Sequence, residues 1–132
     1  MRSKKPTIVF IDSCECINKI LDNKKIQEEF NILIARNGKE GVDMIFKNKP
    51  DLIFSDIAVP KGDIFYIIDV IKKDPETKDI PIVALTTLCS GEDKKKVEKM
   101  GVCDYILKHE CFSGDLEKKI KNFLDKKEKN EK

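Results

Sequence analysis

Five short apolar runs, each ending near a polar residue and separated by stretches of helical period, constrain this chain more than any other feature. Thr7-Ile8-Val9-Phe10-Ile11 is an almost wholly apolar run of the kind expected for a strand buried on both faces. Phe30–Ala35 is a second candidate, and Leu52-Ile53-Phe54-Ser55 a third that ends at Asp56. Ile80–Leu85, with Pro81 fitting best at the beginning, is a fourth, and Cys103–Leu107 a fifth. Between the runs the period changes to that of a helix. Ile17, Ile20 and Leu21 form one stripe; Val42, Ile45 and Phe46 form another behind Asn37 and Glu40, which read as a capping box. Ile64, Ile68 and Ile71 form a third, closed by the turn-prone Asp74-Pro75-Glu76-Thr77. Ser90 can cap a helix carrying Val97 and Met100 with Gly101 as its stop, and Ser113 can open a last helix with Leu116, Ile120, Phe123 and Leu124 facing the core. Strands that alternate with helices in this way predict an α/β fold: a doubly wound, five-stranded parallel sheet covered on both faces.

Composition narrows the function classes. At 132 residues the chain fits one domain. Charged residues reach 38%, yet 40% hydrophobic residues suffice for a core, which excludes wholesale disorder. No apolar run approaches the ~20 residues needed to cross a bilayer, so no membrane role is expected. Nothing at the N-terminus resembles a secretory leader, so a cytoplasmic location is expected. The net charge of +2 is unevenly spread, with an acidic body and a Lys-rich end from Lys118 to Lys132. With two arginines among 26 basic residues, few guanidinium forks remain for reading bases, and no nucleic-acid partner is expected. Five cysteines (Cys14, Cys16, Cys89, Cys103 and Cys111) suggest free thiols in a reducing compartment. Most of them, with His109, fall near strand ends, where small packing residues are commoner than a zinc or redox site.

In such sheets ligands bind beyond the carboxyl ends of the strands. Asp12 follows the first strand, Asp56 the third, Thr86 the fourth and Lys108 the fifth. Two carboxylates there are costly unless they meet a cation, and Mg²⁺ suits two carboxylates plus waters and a phosphoryl oxygen. A lysine and a hydroxyl suit the remaining oxygens of that phosphoryl group.

Taken as an ordered set, Ile8–Asp12, Pro50–Asp56 with Pro60 four residues on, Ile80–Thr86 and Gly101–Lys108 resemble the receiver domain of bacterial response regulators, the CheY-like family, over residues 6–125. The resemblance implies a flavodoxin-like (βα)5 fold with strand order 2-1-3-4-5, and residues 126–132 as a charged tail. It implies that Asp56 accepts a phosphoryl group from the phosphohistidine of a sensor histidine kinase or phosphotransfer protein. Asp12, Asp56 and the backbone carbonyl of Ala58 would hold Mg²⁺, with Ser13 contributing through a water. Thr86 and Lys108 would bind the phosphoryl oxygens, and Tyr105 would be the switch aromatic. No enzymatic turnover is implied beyond self-catalysed acceptance and slow autodephosphorylation. The expected molecule is a stand-alone signalling switch whose target docks on the face made by the fourth helix, fifth strand and fifth helix.

Two positions depart from the family pattern. Ser13 stands where a second acid is usual, removing one negative charge and predicting weaker Mg²⁺ binding. His109 stands where a proline is usual after Lys108, predicting a trans peptide bond and a reshaped loop. These two residues support an alternative, a degenerate receiver that acts as a phosphorylation-independent interaction module.

Overall fold

The computed structural model of the chain describes residues 5–57, 61–86, 95, 98–99, 101–102, 104–107 and 116–130, without the side chains of Cys16, Thr86, Tyr105, Leu107 and 126–130. Ala58, Lys108 and His109 lie outside them, as does most of the helix expected between Ser90 and Met100.

Five strands form one parallel sheet: β1 (Thr7–Ile11), β2 (Asn31–Ala35), β3 (Leu52–Asp56), β4 (Ile82–Thr86) and β5 (Asp104–Leu107). Their order is β2-β1-β3-β4-β5, as the resemblance implies. Successive residues of a strand face opposite sides, so the sheet feeds two cores. Val9, Ile11, Ile53, Ile82 and Ala84 pack on one side with Val42, Ile45, Ile64, Ile67, Ile68 and Ile71. These helical residues belong to α2 (Gly38–Asn48) and α3 (Ile64–Lys72). Ile8, Phe10, Leu52, Phe54, Val83 and Leu85 pack on the other side with Ile17, Ile20, Ile26, Leu116, Ile120 and Phe123. Those come from a 3₁₀ segment (Glu15–Ile20), α1 (Lys24–Glu29) and a C-terminal helix (Leu116–Asn130). Three aromatic rings bind this second side together. Phe10 and Phe54 stack with centroids 4.7 Å apart, and Phe123 meets Phe54 edge-on at 6.0 Å.

Caps follow the local sequence. Asn37 Oδ1 accepts from the Glu40 amide at 2.8 Å, and Glu40 Oε1 reaches back to the Arg36 amide at 2.6 Å, a capping box shifted by one residue. Asp63 Oδ1 accepts from the Tyr66 amide at 3.1 Å and starts α3. The fully buried Thr77 donates its hydroxyl to the Ile71 carbonyl at 2.7 Å, which fixes the turn expected at 74–77.

Two expectations are corrected. Ile17 and Ile20 are buried as one stripe, but Leu21 is 45% exposed. The first turns wind as 3₁₀ with three residues per turn, and α1 begins afresh behind the Asn23 cap, so the helical stripe loses its phase at Leu21. The last helix, expected from the sequence to end near Asp125, continues to Asn130, because Lys126 to Asn130 contain neither proline nor glycine to stop it. Strand limits otherwise move by a residue or two, with Pro81 preceding β4.

Candidate functional site

The rim at the carboxyl ends of the strands is assembled by hydrogen bonding that begins in the sheet. β1 and β3 pair in register through Ile11↔Ser55. The next residues on these adjacent strands are Asp12 and Asp56, and neighbouring strands run about 4.8 Å apart. Two carboxylates far apart in sequence are thus brought side by side. Asp12 is fully buried. Its amide donates to the Ala35 carbonyl at 2.9 Å, carrying the β1–β2 ladder one residue past the strand. Its Oδ1 accepts from the Cys14 amide at 2.9 Å, a local turn that aspartate favours. Asp56 closes β3, is partly buried, and pairs with Leu85 of β4. Between the acids the buried Ser55 donates its hydroxyl to the Asp56 carbonyl at 2.9 Å.

The segment after Asp56 is tied at both ends. The Ile57 amide donates to Leu85 O, and the Ile64 amide returns to Ile57 O, each at 3.2 Å. Lys61 (φ 53°) and Gly62 (φ 108°) turn the chain between these points, and the Lys61 carbonyl accepts from the Lys39 amide at 2.9 Å. The approach is so close that a Cβ on Gly38 would lie 1.8 Å from the Gly62 oxygen.

Of the residues expected at the site, Asp12 and Asp56 are brought together as adjacent carboxylates. Ser13 is exposed at the start of the turn after Asp12. Thr86 ends β4 opposite Leu107, and Tyr105 lies in β5 opposite Ala84. The side chains of both lie outside the description, as do Ala58 and Lys108 entirely. A fully buried carboxylate beside a second one is a donor set that fits Mg²⁺, which takes one or two carboxylates and keeps several waters. Among the described residues no group of three or more His, Cys, Asp and Glu side chains assembles a metal site.

Sequence reasoning missed two features of this rim. Cys14 is disulfide-bonded, which overturns the free thiol expected there. Bonding requires Cα atoms about 4.4–6.8 Å apart, a separation that sequence spacing does not disclose. Arg36 spreads its guanidinium over the turn behind Asp12. Nη1 donates to the Cys14 carbonyl at 3.2 Å and Nη2 to Asn18 Oδ1 at 2.5 Å. The rarity of arginine in this chain was the one available signal.

Among known proteins, the chain is similar to a putative response regulator from Chloroflexus aurantiacus. Its crystal structure matches with a TM-score of 0.79 at 26% identity, over 92% of this chain and 99% of that one. The probable transcriptional regulator ycf27 of Guillardia theta is 29% identical over 104 residues, 79% of this chain and 40% of the relative. The chemotaxis protein CheV3 of Helicobacter pylori is 26% identical over 129 residues, 90% of this chain and 41% of the relative. The chain therefore spans about two fifths of the length of those two relatives. The family profile described as the response regulator receiver domain matches residues 8–121. With the sheet order and the paired acids already in place, this chain belongs to the response regulator receiver domain family.

Proposed function

We propose that Asp56 accepts a phosphoryl group from the phosphohistidine of a sensor histidine kinase or phosphotransfer protein in the cytoplasm. The observation that carries this reading is the register of β1 and β3, which sets the buried Asp12 beside Asp56 at the carboxyl rim. A carboxylate oxygen of Asp56 attacks phosphorus, the P–N bond to the donor imidazole breaks, and the imidazole takes up a proton. Asp12, Asp56 and the Ala58 carbonyl would hold Mg²⁺, with Ser13 reaching it through a water. The ion supplies positive charge against the phosphoryl oxygens. Lys108 and Thr86 are assigned to those same oxygens. The product carries about −2 charge, enough to draw a hydroxyl and an ammonium toward Asp56 and to turn Tyr105 with them. Output then passes to a protein docked on the face built around β5 and its flanking helices.

Ser13 favours a second reading, a receiver that binds its partner without phosphorylation, since an exposed hydroxyl replaces a carboxylate at the rim. Incubation with Mg²⁺ and acetyl phosphate, followed by intact mass, separates the two. One added phosphoryl group, absent without Mg²⁺ and absent from Asp56→Asn, is the expected result. No added mass, or unchanged addition to Asp56→Asn, leaves the interaction module standing.

A further inference from the structure

We infer that the corner between β2 and α2, Arg36 to Lys39, is a brace that fixes the spacing of the two acid-bearing loops, with Arg36 as its positioning residue. None of its side chains belongs to the acceptor chemistry, yet its bonds run to both sides of the site. Toward Asp12, the Ala35 carbonyl receives the Asp12 amide at 2.9 Å. Arg36 then clamps the turn whose Cys14 amide holds Asp12 Oδ1. Its two nitrogens grip acceptors four residues apart, the Cys14 carbonyl and Asn18 Oδ1, so the 3₁₀ segment is pinned against the corner. Toward Asp56, the Lys39 amide donates to the Lys61 carbonyl, and Gly38 lies directly against the Gly62 carbonyl. The corner is itself hydrogen-bonded: Asn37 caps α2 and Glu40 ties back to the Arg36 amide.

A carboxylate pair binds a small, geometrically demanding cation only at the right separation, and groups that orient ligands without touching the ion commonly change its affinity by about 10–100-fold. A guanidinium fork suits this task, because one planar group reaches two acceptors in a fixed relation. The Mg²⁺ consequence rests on the functional reading above; the brace is tested apart from it.

Amide hydrogen exchange by NMR reads each arm of the brace. Arg36→Ala should speed exchange of the Cys14 amide severalfold while the Phe10 and Phe54 amides in the core keep their protection. Asn18→Ala should do the same more weakly, and Arg36→Ala with Asn18→Ala should exchange no faster than Arg36→Ala alone. Arg36→Lys, with one ammonium for two acceptors, should fall between. Gly38→Ala should instead speed the Lys39 amide. Calorimetric titration with Mg²⁺ alone, without a phosphodonor, should show affinity about tenfold weaker in Arg36→Ala. Unchanged Cys14 exchange in both Arg36→Ala and Asn18→Ala overturns the brace. Faster exchange with unchanged Mg²⁺ affinity overturns its positioning role. Absence of Mg²⁺ binding by the unsubstituted protein overturns the metal reading, and the exchange rates alone then decide the brace.

Discussion

Gly41 sits inside α2, where glycine costs about 1 kcal/mol relative to alanine. Its retention has a local cause: a Cβ there would lie 2.5 Å from Ile11 Cδ1 and 2.8 Å from Ile11 Cγ1. Ile11 is fully buried at the end of β1, immediately before Asp12, so it cannot swing aside freely. Overpacking of this kind costs about 1–3 kcal/mol, which offsets the helix gain. Gly41→Ala is therefore expected to destabilise by about 1 kcal/mol in urea unfolding. Ile11→Val combined with Gly41→Ala should destabilise less than the sum of the single effects, because valine lacks Cδ1, the nearer of the two clashing atoms. Cys14 carries a second expectation at this scale. With five cysteines and Cys14 in a disulfide, denatured but unreduced protein should show at most three reactive thiols, and reduction should expose all five. Five before reduction would remove the bond.

Between elements, α1 and the C-terminal helix meet through a charged cluster rather than through apolar contacts alone. Lys121 Nζ lies 2.8 Å from Glu29 and 2.9 Å from Glu117, and Lys25 Nζ lies 3.2 Å from Glu117. Hydrogen bonding with Glu29, then with Lys121 and Lys25, holds the Glu117 carboxyl at about 2, below its ordinary 4.5. Lys121 is pushed above its usual range by the same carboxylates, Glu117 first. A depressed carboxyl favours folding while it is ionised. Its contribution is complete above pH 4.5 and is lost as pH falls toward about 2. The raised lysine contributes fully below pH 10.5 and loses its share above that. Glu117→Gln should lower the melting temperature by a few degrees at most at neutral pH, since water screens the cluster. The difference from the unsubstituted protein should vanish as acid approaches pH 2. Much of the element plan was legible in sequence, because a buried parallel strand and an amphipathic helix differ in period. The 3₁₀ start of the first helical region was not legible, since Ile17 and Ile20 satisfy either winding and the distinction shows only at Leu21. The two acids were legible as strand-end residues. Arg36 and the Gly38–Gly62 approach were not, because both depend on which loops meet across the rim.

For the whole molecule, the sheet is the shared wall of two cores, and Phe54 is the centre of the more aromatic one. It touches Phe10 on β1 and Phe123 on the C-terminal helix, and it stands two residues before Asp56. Phe54→Ala should cost about 3–5 kcal/mol, a large part of the roughly 5–15 kcal/mol that holds a domain together. The urea midpoint should fall with little change in slope, if both cores still unfold as one unit. A different slope would show the two sides separating. The other face of the molecule holds a residue with an unplanned use. The ring of Tyr66 lies against Gly62, beside the segment that follows Asp56, and is 42% exposed. The chain has no tryptophan and two tyrosines, Tyr66 and Tyr105. Its ultraviolet emission therefore comes from two phenols, and Tyr105→Phe would leave one. The protein thereby carries its own optical reporter, whose quenching or polarisation would follow movement at residues 61–62 in real time without any attached dye.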